Sequence, residues 1–164
     1  ELLIRNGCRN IAYISGPTNS YDHRSRFKGY MRALQDYNLK YPSNLNLPGW
    51  FTIDGGYTAT KLLMAQREMP DAIFYANDEM AVGGLKAFKE AGIRVPDEIS
   101  VIGFDDIFLA EYVNPPLTTV RQPKFELGAL AAHLIMQVLE GREIDHEYML
   151  ATELVVRKSC RLTG

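Results

Sequence analysis

Polar side chains follow three apolar segments of this sequence, at points where chemistry could take place. They are Asp22 and Arg26 after IAYIS (11–15), Asn77 after AIFYA (72–76), and Asp105 and Asp106 after ISVIGF (99–104). Carboxylates accept hydrogen bonds, a guanidinium donates several, and an amide does both. Such a set suits a neutral ligand that carries many hydroxyl groups.

Each of these side chains also has a purely structural interpretation. Asn77 could cap the next helix or contact a ligand, and Asp78 beside it is typical of a residue that caps that helix or complements its dipole. One of Asp105 and Asp106 is expected to cap the short segment after them, which leaves the other free to face a cleft. Arg26 taken alone is typical of a solvated helix residue.

The sequence lacks the spacings that catalytic or metal sites require. His23, His133 and His146 have no HExxH-type partner, and we expect them to be exposed or half-buried and without function. No GxSxG motif occurs, and GGYTATK departs from the phosphate-loop pattern. Cys8 and Cys160 are far apart in sequence. We therefore predict no catalytic residue, no metal and no cofactor.

Composition restricts the class of protein further. The 164 residues include 18 basic and 20 acidic side chains, a net charge of -2, with neither sign gathered into a run. That balance gives no basic surface for nucleic acid. No apolar segment approaches the roughly 20 residues that cross a bilayer, so no membrane contact is predicted.

Apolar periodicity predicts repeated strand-then-helix units. Strands are predicted at 11–15, 50–53, 72–76 and 99–104, and the helices between them include one over 78–91 that ends at Gly92. This pattern indicates an α/β fold, a parallel sheet flanked by helices on both faces. Because ligands bind at the carboxyl ends of parallel strands, the polar residues are expected to share one rim of the sheet. The Trp50-Phe51 pair is more typical of a core than of a ligand platform.

Longer motifs resemble a known family. They are ANDEMAVGGLKAFKEAGIRVPDEISVIGFDD, PPLTTVRQPKFELGALAAHLIMQVLEG and ELVVRKS, with GCRNIAYISGP and RFKGYMRAL upstream. Together they resemble the effector-binding domain of the LacI/GalR family of bacterial transcriptional regulators. The resemblance implies a type I periplasmic-binding-protein-like fold of two lobes. It also implies a cytoplasmic, non-enzymatic protein with a small-molecule effector, a sugar or a nucleoside, in the cleft between the lobes.

Site residues are carried over from the family position by position. The resemblance assigns effector binding to Arg26, Asn77, Asp105, Phe51, Gln122 and the variable pocket position Asp22. It also assigns the interface of a homodimer to Val82, Gly83 and, in the YVNPP loop, Val113.

The resemblance divides the chain unequally between the two lobes. Residues 1–120 correspond to the second lobe, 121–148 to a crossover and a helix of the first lobe, and 149–164 to a strand that returns to the second lobe. No part of this sequence corresponds to the family's helix-turn-helix or to most of its first lobe. The resemblance therefore implies that operator DNA would be contacted only through the helix-turn-helix domain, which is absent here. The apolar stripe of the helix over 124–140 is therefore expected to lack cover on the chain's own sheet.

Two other functions remain open at this point. A periplasmic sugar-binding protein of an ABC transporter has the same fold, and the discriminating feature would lie upstream of Glu1. A small α/β enzyme would need an acid-base pair at the rim, whereas Asp105 and Asp106 are adjacent in sequence and are expected to point in different directions.

Overall fold

Strands and helices alternate along the chain. The computed structural model describes residues 1–162, so the last two residues of the predicted 149–164 segment lie outside it. In chain order the elements are α1 (Leu2–Arg5), β1 (Ile11–Ser15), α2 (Tyr21–Asp36), a 3₁₀ turn (Ser43–Leu45), β2 (Asn46–Pro48), α3 (Ile53–Met64), β3 (Ala72–Tyr75), α4 (Asp78–Ala91), β4 (Ser100–Ile102), α5 (Leu109–Tyr112), β5 (Thr119–Arg121), α6 (Lys124–Leu139) and β6 (Glu153–Val155).

The first four strands form one parallel sheet in the order β2-β1-β3-β4. Strands β5 and β6 pair with each other antiparallel in a separate two-stranded ribbon. Single parallel bridges from Ile102 to Thr118 and from Asp105 to Arg121 connect the end of β4 to this ribbon. The carboxyl ends of β1, β3 and β4 therefore meet at one edge, close to the start of the ribbon.

Helices cover both faces of the parallel sheet. The Tyr13 ring packs on Phe27 and Tyr30 of α2, with centroid distances of 5.4 and 5.1 Å. On the other face, the Tyr75 hydroxyl lies 2.7 Å from the Thr60 hydroxyl of α3. Tyr13 pairs with Phe74 in the sheet, and side chains alternate between faces along a strand, so Tyr13 and Tyr75 lie on opposite faces and identify the two helical layers. The predicted α/β class with a doubly covered parallel sheet is confirmed.

Helix α4 has the bounds that the sequence predicts. Asn77 is its N-cap and accepts a hydrogen bond from Met80 N at 3.0 Å, and Gly92 ends it with φ +74°. Gly83 is buried where α4 packs against α3, and a Cβ atom there would collide with the backbone carbonyl of Ile53. Gly83 thus serves a contact within the chain, and this burial argues against its predicted place in the dimer interface.

The predicted strand over 50–53 is wrong. Trp50 and Phe51 have φ of 60° and 61°, a left-handed turn that follows β2. Helix α3 then begins at Ile53, with the Thr52 hydroxyl accepting a hydrogen bond from Gly55 N at 3.0 Å. Aromatic residues favour strands in general, but here the turn and the Thr52 cap decide the local structure.

Helix α6 is the least covered element. None of its 16 residues is buried, and Ile135 and Val138 on its apolar stripe are 60% and 53% exposed. The stripe therefore finds no cover on the sheet of this chain, as expected. Within residues 1–162, no helix combines the length and the apolar character needed to cross a membrane.

Candidate functional site

A cavity of about 350 Å³ lies at the carboxyl edge of the parallel sheet. All six side chains that the sequence analysis assigns to effector binding line it, together with two that it missed. The lining consists of Asp22, Arg26, Phe51, Asn77, Asp105, Ile107, Gln122 and Lys124. The predicted convergence of Arg26, Asn77 and Asp105 at this edge is found, while their role in binding stays a prediction.

A larger groove, of about 900 Å³, lies between α1, α2 and the sheet and shares only Arg26 with the polar cavity. Most of its lining side chains are aliphatic or aromatic, and it gathers no set of facing polar groups. Its size reflects uncovered apolar surface. The smaller cavity is therefore the better candidate for specific recognition.

Arg26 is fixed from several sides. Its Nη1 donates to the backbone carbonyl of Ala76 at 2.6 Å, and its Nη2 donates to Asp105 Oδ1 at 3.0 Å. The guanidinium carbon lies 4.1 Å from the centroid of the Phe104 ring and 5.8 Å from that of Phe51. The side chain is only 9% exposed. Arg26 is thus preorganised by the site, and Phe104 is a contributor that the sequence analysis missed.

Asp105 accepts its two hydrogen bonds within the described residues at one carboxylate oxygen. Its Oδ1 accepts from both Arg26 Nη2 and Gln122 Nε2, the latter at 2.6 Å. Both bonds go to Oδ1, so Oδ2 retains its capacity to accept. Burial raises the pKa of this carboxyl above its usual value, although Arg26 and Gln122 act in the opposite direction.

Asn77 serves structure and cavity together. While its Oδ1 caps α4, its Nδ2 donates to the backbone carbonyl of Phe51 at 3.3 Å. The residue is 8% exposed and lines the cavity. Capping and a position at the site, which the sequence left as alternatives, are therefore compatible.

Asp105 and Asp106 point in different directions, as expected, but neither caps α5. The N-cap of α5 is Phe108, with no side-chain hydrogen bond. Asp106 instead lies 2.7 Å from Arg121 Nε and 2.8 Å from Arg157 Nη1. Burial raises the pKa of Asp106, but the bonds from Arg157 and Arg121 outweigh it and hold the pKa below its usual value. The prediction that one of these two residues caps α5 is wrong, because the Asp106 carboxylate pairs with Arg121 and Arg157 instead.

Asp78 connects three segments near the cavity. Its fully buried carboxylate accepts from the Thr119 hydroxyl at 2.6 Å and from Ile107 N at 2.9 Å. Burial raises its pKa, and these two hydrogen bonds oppose that rise. Asp78 therefore joins the start of α4 to the loop after β4 and to β5. The capping role considered for it belongs to Asn77.

The histidines lie away from the cavity lining. His23 is buried, contrary to expectation, and stacks on Phe27 with a centroid distance of 5.8 Å. Its Nδ1 finds no hydrogen-bond partner in the described part of the chain. His133 is exposed beside Gln137, and His146 is exposed. In residues 1–162 no three His, Cys, Asp or Glu side chains are grouped to hold a metal ion.

The parallel sheet with its two helical layers and the cavity at its carboxyl edge are features of the periplasmic-binding-protein class. The family described as "Periplasmic binding protein-like domain" matches residues 1–160, and the chain belongs to it. The HTH-type transcriptional repressor PurR of Histophilus somni (strain 129Pt) is 38% identical over 162 residues, 98% of this chain and 49% of that protein. The Ribose operon repressor of Escherichia coli (strain K12) is 36% identical over 158 residues, 96% of this chain and 48% of that protein.

Solved structures match the same region. A transcriptional regulator CelR-cellobiose complex matches with a TM-score of 0.89 at 36% identity over 96% of this chain and 48% of that one. The lac repressor dimer bound to operator and the anti-inducer ONPF matches with a TM-score of 0.90 at 30% identity over 96% and 55%. The resemblance to LacI-type regulators is thus confirmed. The chain spans about half the length of the curated relatives it matches.

Proposed function

We propose that this chain is the effector-binding and dimerisation region of a bacterial, cytoplasmic LacI-type repressor. The effector is a small neutral molecule rich in hydroxyl groups, a sugar or a nucleoside. One observation carries this proposal: side chains from the segments after all four strands of the parallel sheet, and from the segment after β5, line a single polar cavity. The repressor names of the relatives support a regulator over a transport protein.

The lining offers complementary chemistry for such an effector. Asp105 Oδ2 would accept a hydrogen bond from a hydroxyl group, and the Arg26 guanidinium carries three N–H groups beyond the two that bond Ala76 and Asp105. The Phe51 ring supplies an apolar surface for the C–H face of a sugar ring or for a base. Asp22, exposed at the mouth, is placed to vary selectivity. The lining carries two carboxylates and two cations, so it has no net charge that would call for a charged ligand.

The exposed α6 supports a division of the chain between two lobes. We assign residues 1–120 to one lobe, 121–148 to a crossover and helix of the other lobe, and 149–164 to the return strand. Gln122 and Lys124 would then bring the crossover to the cavity. The apolar stripe of α6 would be covered by the rest of the other lobe, and the cavity would be completed by it.

A homodimer contact fits the surface around α5. Phe108 and Tyr112 are 76% and 67% exposed and their rings lie 4.6 Å apart. Val113 follows at the end of α5, and the half-buried Val82 lies on α4, which contacts α5. We keep Val82 and Val113 in the proposed interface and leave out the buried Gly83. Tyr112→Glu should convert a dimer of the full-length protein to monomer in sedimentation velocity, and an unchanged dimer would contradict this surface.

The effector proposal is tested by ligand screening of the full-length protein. Thermal unfolding in the presence of pentoses, hexoses, disaccharides and nucleosides should show stabilisation by one of these groups. Titration calorimetry then gives its affinity. The effect should be lost in Asp105→Asn and kept in Asp97→Asn, which alters an exposed carboxylate on another surface. Stabilisation by none of these compounds would reject the ligand class.

A regulator, a transport protein and an enzyme differ in the step that comes after ligand binding. A repressor should shift the DNA of its own promoter region in an electrophoretic assay, and the effector should change that shift. Operator DNA would be contacted by the part of the protein outside this chain. Absence of DNA binding would favour the transport alternative. Conversion of the ligand to a product, detected by chromatography, would favour the enzyme.

A further inference from the structure

Gly16 directly follows β1 and is adjacent to the polar cavity without lining it. A Cβ atom built on Gly16 would coincide with the ring of Phe51, and its three nearest neighbours are all carbons of that ring. Its φ lies outside the left-handed range, so the backbone itself would accept alanine. Position 16 therefore requires glycine because the Phe51 ring occupies the space that a side chain would need.

The Phe51 ring is otherwise held by its own turn. Trp50 and Phe51 are both left-handed, and the Phe51 carbonyl accepts the hydrogen bond from Asn77. The ring is half-buried, packs against the core and lines the cavity, with Arg26 at 5.8 Å. Because the turn fixes the backbone, the ring can avoid an added Cβ on Gly16 only by rotating its side chain or distorting the turn.

We propose that Gly16 is a positioning residue whose missing side chain places the Phe51 ring at the cavity. The ring position does not depend on the identity of the ligand. Its consequence for binding rests on the function proposed above, because a displaced ring no longer covers the apolar face of a bound molecule. Gly16 would then set affinity without touching the ligand.

The ring position is tested first without ligand. Nuclear magnetic resonance of the full-length protein with isotope-labelled phenylalanine rings identifies the Phe51 signal as the one lost in Phe51→Ala. Gly16→Ala should shift this signal. Gly29→Ala is the matched control, since a Cβ on Gly29 meets no heavy atom within 4 Å. An unchanged Phe51 signal in Gly16→Ala would overturn the proposal.

A double-mutant cycle then tests the effect on binding. The probes are D-ribose and cellobiose, the compounds in the names of two relatives. Gly16→Ala should weaken binding of the active probe by about tenfold when Phe51 is present, and by less than about twofold in the Phe51→Ala background. Equal losses in both backgrounds would overturn the proposal. Binding of neither probe would exclude D-ribose and cellobiose as effectors, while the ring signal still decides the role of Gly16.

Folding of the variant gives a further check. If Gly16→Ala fails to fold, the double variant Gly16→Ala/Phe51→Ala should recover the folded state, because removal of the ring makes room for the new Cβ. A double variant that also fails to fold would show that Phe51 is not the group that position 16 accommodates.

Discussion

The Arg26 guanidinium and the Asp105 carboxylate lie 3.0 Å apart although 79 residues separate them in the chain. The pair joins the first turns of α2 to the loop after β4. It is largely shielded from solvent, with side-chain exposures of 9% and 22%, so water weakens it less than an ordinary surface pair. Each partner therefore holds the other in position at the cavity.

Asp105→Ala is predicted to weaken effector binding by roughly ten- to a hundredfold, because a charge-assisted hydrogen bond contributes about 1.5–3 kcal/mol. Titration calorimetry on the full-length protein measures the change. Asp97→Ala, which removes a carboxylate paired with Arg94 on the surface, should leave the affinity unchanged. An unaltered titration for Asp105→Ala would reject its role in effector binding.

Asp78→Ala should destabilise the fold by about 2–4 kcal/mol, because it leaves the Thr119 hydroxyl and the Ile107 amide without the acceptor they use and opens a small void. Urea denaturation gives the free energy of unfolding. Asp36→Ala, at an exposed carboxylate on α2, should change it by less than about 0.5 kcal/mol. Equal effects of the two substitutions would contradict the connecting role of Asp78.

His23 should make stability fall on acidification. Burial, with the nearby Arg24 charge, lowers its pKa below the ordinary value of 6.5. Between those two pKa values the unfolded chain binds more protons than the folded one, so unfolding becomes easier as the pH drops through about 6.5. The stability that depends on a neutral His23 side chain is therefore fully present above about pH 6.5.

His23→Phe isolates this effect, since a phenyl ring can take the stacked position beside Phe27. The variant should show a smaller decrease of unfolding free energy than the parent between pH 7 and about pH 5, measured by chemical denaturation. Carboxylates titrate in both proteins and cancel in the difference. Parallel pH profiles would show that His23 is not the titrating group.

Gly83→Ala and Gly29→Ala form a matched pair on two helices. A Cβ on Gly83 would collide with the α3 backbone, so this substitution should cost about 1–3 kcal/mol of stability. Gly29 faces open space, and alanine there should stabilise α2 by about 0.5–1 kcal/mol. Thermal unfolding measures both. Stabilisation by both substitutions would mean that α3 and α4 separate easily.

Local patterns were sufficient for several elements of the fold. The apolar run 11–15 forms β1, and α4 begins after Asn77 and ends at Gly92. These features could be predicted because strand burial and helix capping depend on residues that are adjacent in sequence. The turn at Trp50 and Phe51 was missed, since a left-handed pair of aromatic residues contradicts their usual preference. The available hint was Thr52 followed by Asp54, a cap with an acidic first turn.

The cavity was predictable in outline but not in its connections. The positions of Arg26, Asn77 and Asp105 after strand ends indicated one rim, and the family resemblance added Gln122. The bond from Thr119 to Asp78 spans 41 residues and depends on how the ribbon passes the sheet, which no local pattern encodes. The same holds for Asp106, whose partner Arg157 comes from the far end of the chain.

Asp105 and Asp106 are joined by one peptide bond but make contacts in different parts of the molecule. Asp105 lines the cavity, while Asp106 holds Arg121 at the end of β5 and Arg157 after β6. Because the two residues are consecutive, a displacement of the Asp105 backbone would also displace Asp106 and change its ion pairs with Arg121 and Arg157. One peptide bond and two ion pairs thus connect the cavity to the ribbon of β5 and β6.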